Sequence, residues 1–322
     1  MKKILFATAS IVAFSAAGAA MADVEVTGEA RMGLLYESVD IGSDDESDVD
    51  GTSRIRVKFA MTGTSDSGLT FGANIRADNA GGGNGQGAEH ALAFIDDDCE
   101  NGVDDLACAG AVSTAGDVFV SGSFGTLTYG DTDSAVKQRT SNVDIISLTG
   151  LSFVSLQGDD AQEIIRGVQP GPRIRYDYDF DSFGFSLSTT GELEEFAVGA
   201  SYSGDFGGTT IDFGIGYEDT FDFETIVVSA GAGFGAFSAK VAYADLDGDL
   251  TDVAVSGSYD AGDLDVTAFY RTLSDDDDSI DTFGIGASYD LGGGLVAKTG
   301  IAMTDIDGDS VTAADLGLAM TF

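Results

Sequence analysis

Proline and cysteine each occur only twice in this chain of 322 residues, and histidine once. One imidazole and two thiols cannot furnish a zinc-type ligand set, and His90, in a Gly-rich stretch, is poorly placed for a Ser-His-Asp triad. No other residue stands out as a nucleophile, which sets enzymatic function aside. Basic residues are scarce too, with 15 Lys and Arg against 55 Asp and Glu. That balance repels nucleic acid and resists compaction of a soluble core. Long apolar runs are also missing. After the N-terminus no segment approaches the ~18 consecutive apolar residues of a helical membrane span, so such spans are excluded. The charge excess alone is compatible with disorder, but the aromatic content and the alternation that fills most of the chain are not.

The first residues form a separate unit. Lys2 and Lys3 precede an apolar run from Ile4 to Phe14 and small residues ending in Ala20-Met21-Ala22. This pattern predicts a secretory signal peptide over residues 1–22, cleavage before Asp23, and one exported domain over 23–322. Its removal takes away two basic residues and no acid, so 13 basic and 55 acidic residues remain, a net charge of −42. In an exported chain Cys99 and Cys108 are expected to form a disulfide, and closing so short a loop stabilises the loop more than the fold.

What the chain has in quantity is glycine, 45 residues, with 21 Phe and 10 Tyr. A hydrophobic content of 43% without long runs is what strict alternation produces. In the last segment Ala314, Leu316, Leu318, Met320 and Phe322 fall on one face, and Ala313, Asp315, Gly317, Ala319 and Thr321 on the other. Segments of this kind recur from Asp23 onward and number sixteen. Tight Gly-rich turns alternate with longer acidic loops, the first of them IGSDDESDVDGTS at 41–53. Two stretches lack the pattern. Residues 78–116 read as a long loop, with a short helix at 88–95, and Asp131–Gln169 has no sustained period of two. Loops that long are uncommon unless functional.

An even number of strands lets the last pair with the first, which abolishes the sheet edge and places both termini at the short-turned end. Two features make lipid the solvent of the oily faces. Aromatics such as Tyr176, Phe183, Phe206, Phe234, Phe237, Tyr259 and Tyr289 gather near segment ends, as membrane-interface girdles do. The opposite faces carry charges that a dry core would penalise heavily. The sequence therefore predicts an all-β transmembrane antiparallel barrel of sixteen strands with a wet lumen. Basic inward residues concentrate early: Arg31, Arg54, Arg56, Lys58, Arg76, Arg173 and Arg175 lie on the first six segments. If Asp131–Gln169 folds inward, its apolar stretch IISLTGLSFVSL packs on one wall. Asp144, Asp159, Asp160 and Glu163 then face the basic wall across a narrow eyelet.

The run GSFGTLTYGDTDSA, the long loop after it, the sixteen alternating segments and the C-terminal Phe322 resemble the general porins of Gram-negative outer membranes, especially the Rhodobacter-type alphaproteobacterial porins. The resemblance spans nearly the whole mature chain, although the PEFGG-type loop motif of enterobacterial members is absent. It implies a homotrimer in the cell outer membrane whose third external loop, here Asp131–Gln169, folds into the lumen. The facing wall would then be Arg31, Arg54, Arg56, Lys58, Arg76 and Arg173. It also implies a water-filled channel for passive diffusion of small hydrophilic solutes and ions, without a cofactor, and a final Phe read by the insertion machinery. Acidic clusters at 44–50, 245–252, 275–278 and 305–309 remain. Their carboxylates, Asp245, Asp247, Asp249, Asp305, Asp307 and Asp309 among them, are candidate Ca2+ ligands. None has the twelve-residue loop spacing that ends in Glu, so solvated loop tips are the favoured reading, and a high-salt habitat or cross-bridging of surface polysaccharide by divalent cations is compatible with either. The alternative function is a structural or adhesive outer-membrane barrel with such loops.

Overall fold

The alternation of FGFSLSTT at 183–190 is reproduced in exposure. Phe183, Phe185 and Leu187 are exposed, whereas Gly184, Ser186 and Ser188 are buried. The same two-sidedness runs through a closed barrel of sixteen antiparallel strands. The computed structural model describes residues 23–41, 44–80, 113–151, 172–191, 193, 195–220, 223–275, 277–306 and 308–322. The first five strands are β1 (Asp23–Ile41), β2 (Asp44–Thr64), β3 (Thr70–Ala80), β4 (Ser113–Gly122) and β5 (Gly125–Gly130). A single helical turn, α1 (Ala135–Arg139), separates them from β6 (Arg173–Phe180), β7 (Phe183–Thr190), β8 (Phe196–Phe206), β9 (Thr209–Thr220) and β10 (Phe223–Phe234). The rest are β11 (Phe237–Leu246), β12 (Leu250–Asp260), β13 (Leu264–Ser274), β14 (Ser279–Gly292), β15 (Leu295–Ile306) and β16 (Asp309–Thr321).

Every strand pairs with its sequence neighbours, and β16 closes on β1 from Glu29↔Thr321 to Asp40↔Ser310. The terminal residue adds two backbone bonds. Phe322 N–H donates to Gly28 O at 2.8 Å and Gly28 N–H to Phe322 O at 3.2 Å. No backbone edge is left along this seam for hydrocarbon to strand. One end of the barrel is built of tight turns; at Gly207-Gly208, for example, both residues have positive φ, 66° and 90°, as a two-residue hairpin turn requires.

Outside, Phe180, Phe206, Phe234, Phe237 and Phe322 are each more than half exposed at the tight-turn end. Tyr202 follows Phe196 and Tyr243 follows Phe237 by six residues, on β8 and β11. That is about 20 Å along a strand, the order of the ~25 Å apolar band between aromatic girdles. The girdle residues also touch one another: ring centroids are 4.8 Å apart for Phe237 and Tyr259, 5.1 Å for Phe183 and Tyr202, and 5.8 Å for Phe196 and Tyr217.

Three expectations need correction. Residues 41–53 are not a loop, because β1 and β2 continue as a ladder to Ile41↔Asp44, leaving only 42 and 43 between them. The alternation of Asp with Ser hides a strand, yet antiparallel backbone bonds propagate whatever the side chains are. The other end is also less loop-rich than expected. From β7 onward its connections are as short as Asp247-Gly248-Asp249 between β11 and β12, so long connections are confined to the first half of the chain. The third concerns Asp131–Gln169, whose described part, residues 131–151, contains the helical turn α1. The expected helix at 88–95 and the Cys99–Cys108 disulfide lie outside the described residues.

Candidate pore constriction

Inside the barrel the wall is unusually low where one segment, residues 131–151, lies against it. Arg173 and Arg175 on β6 start the segment by donating to Thr132 O at 3.2 Å and Asp133 O at 2.9 Å. Ser134 caps α1 by accepting from Lys137 N–H and donates its own hydroxyl to Glu218 on β9 at 2.9 Å. Ala135 N–H donates to Ser188 Oγ on β7 at 2.8 Å. Arg139 closes the turn: its Nε donates to Ser186 Oγ and its Nη1 to Asp179 Oδ1, both at 2.6 Å, and its Nη2 to Phe185 O at 3.0 Å.

Beyond α1 the chain steps around the wall. Ser141 N–H donates to Ser229 Oγ on β10 and Asp144 N–H to Ser256 Oγ on β12, each at 2.9 Å. The Asp144 carboxylate receives Lys240 Nζ of β11 at 2.7 Å. Asp315 of β16 then takes the N–H groups of Leu148 and Thr149 and the Thr149 hydroxyl, the shortest at 2.7 Å. Arg31 Nη1 of β1 donates to Leu148 O at 3.0 Å.

Glycine makes this approach possible. A Cβ added at Gly199, Gly214 or Gly216 would run into α1, one at Gly286 or Gly300 into Ile146, and one at Gly33 or Gly317 into Leu148. Two interior apolar patches take the oily side of the segment. Ala135 and Val136 pack with Ala197, Val227 and Ala244, while Leu151 packs with Leu35, Phe269, Ala302, Val311 and Ala313. Burying side chains such as Val136, Leu148 and Leu151 stabilises the packed position by about 1.5–3 kcal/mol each. Together these contacts touch every strand from β6 through β16 and then β1. That arc is eleven strand spacings, about 50 Å, and the segment's 21 residues reach roughly 70 Å when extended. It must therefore run nearly extended, with room for a single helical turn.

Arg31 and Arg173 hold the two ends of the segment, and the other predicted basic residues lie on the strands between those ends. Register places Arg31 across from Arg54 and Lys58 across from Arg76, so Arg31, Arg54, Arg56, Lys58 and Arg76 form one patch on β1–β3. Glu29 sits among them, 3.1 Å from Lys58 Nζ and 3.7 Å from Arg56 Nη1. Arg173 stands three strands farther on, at the start of the inward segment. Asp144, paired with Lys240, is on the segment's far side, while Asp159, Asp160 and Glu163 lie outside the described residues.

Sequence reasoning missed Asp315, Glu218, Lys240 and Arg139 as anchors. The available signal was the row of small inward residues, Gly and Ser at alternate positions of β7, β9 and β14. It also missed the buried pair of Arg271 and Asp252, whose guanidinium and carboxylate meet at 2.6 Å and 2.5 Å across β12 and β13. In the acidic turns, Asp245 accepts from Gly248 N–H at 3.0 Å, Asp247 from Glu224 N–H at 2.6 Å and Asp305 from Gly308 N–H at 3.4 Å. Asp249 and Asp309 flank these turns, and Asp307 lies outside the described residues. Among the described residues no group of three or more His, Cys, Asp or Glu is arranged to hold a metal ion.

A barrel of this strand number has counterparts among known proteins. The family described as Gram-negative porin matches residues 7–309. The chain belongs to the Gram-negative porin family. A porin of Rhodobacter capsulatus is 31% identical over 345 aligned positions, covering 93% of this chain and all of that one. A refined porin structure superposes with a TM-score of 0.66 at 28% identity, again over 93% of this chain and all of the other. A triple mutant of Rhodopseudomonas blastica porin has the same fold, with a TM-score of 0.66 at 20% identity over 93% of this chain and all of that one. Family and fold make this porin an outer-membrane channel protein and not an enzyme.

Proposed function

We propose that this porin passes small hydrophilic solutes and ions by passive diffusion, through a constriction between the inward segment and the basic wall. One observation carries the reading: residues 131–151 are tied along β6–β16 and β1, while Arg54, Arg56, Lys58 and Arg76 stand on β2 and β3, beyond that run. In this reading Asp159, Asp160 and Glu163 supply the acidic side, and solutes cross a transverse field that sorts them by size and polarity. Liposomes containing the purified protein should swell in small sugars, and planar bilayers should show stepwise conductance. Liposomes that stay unswollen and bilayers that stay silent would favour the structural, adhesive barrel instead.

Four further expectations belong to the same reading. Residues 1–22 are removed on export, so the mature protein begins at Asp23. The working form is a homotrimer. Cys99 and Cys108 are joined. The acidic outer turns meet surface polysaccharide through divalent cations such as Ca2+, which offset a mature charge of −42.

A further inference from the structure

Below the inward segment, toward the tight-turn end, the lumen contains a pocket of about 570 Å³. Asp144, Ile145 and Ile146 form its roof, and the turns around Gly208 and Gly235 lie at its lower edge. Its walls are hydroxyls and two carboxylates, those of exposed Asp260 and half-buried Asp265. Ser238, Ser258, Thr267 and Ser288 line it, with Ser258 and Thr267 bonded to each other at 2.8 Å and Ser288 donating to Asp265 at 3.4 Å. Lys240, the nearby cation, is held by Asp144 at 2.7 Å, and the carboxylate of Asp260 caps Gly262 N–H at 2.7 Å. Asp265 is the carboxylate that meets the hydroxyl wall, through Ser288, whose partner in the β14–β15 register is Lys298. The space itself depends on Gly233, which lines it and would bring a Cβ no closer than 4.0 Å to any neighbour.

We propose that this pocket is a solute subsite on the periplasmic side of the constriction, selective for small polyhydroxylated ammonium compounds. The chemistry is complementary. Hydroxyls accept from and donate to a polyol, and a carboxylate forms a charge-assisted hydrogen bond with an ammonium group that a neutral hydroxyl does not match. The volume suits a solute of monosaccharide size. Placement below the constriction, not within it, separates the subsite from the eyelet that limits conductance. The proposal rests on the channel reading, and the test keeps the two apart.

The probes are glucosamine, at a pH where its amine is protonated, and glucose, each added to the tight-turn side while potassium chloride current is recorded. In wild type, glucosamine should reduce the current at several-fold lower concentration than glucose. Gly233→Leu intrudes on the pocket without altering any charge, and it and Asp265→Asn should each shrink the difference. Two results would overturn the subsite: equal potency of the two sugars in wild type, or a preference that survives undiminished in both variants, which would assign it to the lumen's overall charge. Absence of potassium chloride current in wild type would instead count against the channel itself, and with it the subsite.

Discussion

At the scale of residues, the interior of this barrel is organised by a few anchors that hold a nearly extended segment on a wall made low by glycine. Asp315 is the most heavily used, serving three donors of Leu148 and Thr149. Asp315→Ala leaves those donors without their partner, at a cost of about 1–3 kcal/mol for each that water does not reach. Single channels of this variant should therefore show more current noise and wider conductance levels than wild type; a quiet trace of unchanged amplitude would mean that the segment is held elsewhere. Gly286→Ala should act in the same direction, because its methyl would occupy the position of Ile146 O. Outside the membrane-spanning region, Asp275 accepts from the N–H groups of Asp277 and Asp278, which lowers its carboxyl pKa from 3.8. A lowered pKa means that the turn's order is complete above the ordinary carboxylate range and is lost as pH falls below it. Amide-exchange protection at Asp277 and Asp278 should hold down to about pH 4 and disappear under more acid conditions, and earlier loss would argue that the carboxylate is not the cap.

At the scale of elements, closure depends on the last strand. Phe322 adds two backbone bonds to Gly28 and lays its ring beside that glycine, within 3.4 Å of where a Cβ would stand. Deleting Phe322 should lower the yield of folded barrel, read as heat-modifiable migration on gels, while the channels that do form keep their conductance. Normal yield would remove the terminal residue from assembly. Strand by strand, the alternation of large apolar with small or polar residues was legible in the sequence, because lipid and water impose opposite demands on neighbouring positions. Three things were not. The β1–β2 ladder at its outer end is written in Asp, Glu and Ser, which carry no two-faced signature, and backbone pairing alone sustains it. Helix α1 is one turn long, too short for a periodic pattern. Asp144 looked like an eyelet acid by its place in a long loop, but its partner is set by the path of the chain around twelve strands, which spacing does not encode.

At the scale of the molecule, an acid-rich chain encloses a lumen whose charges are sorted by strand. Cations cluster on β1–β3, whereas the described part of the inward segment is spent on contacts with the remaining wall. The basic residues were legible by type and by alternation. Their union into one patch was legible only through the register of neighbouring strands. If the constriction runs along that patch, Arg54 and Arg56 set its potential, since Coulomb terms between charges at close range in a narrow pore are weakly screened. The most direct measurement is the reversal potential of wild type and of the Arg54→Ala/Arg56→Ala double variant in a potassium chloride gradient. The double variant should shift toward the potassium equilibrium potential, with conductance retained or raised. An unchanged reversal potential would contradict a permeation path along the basic wall.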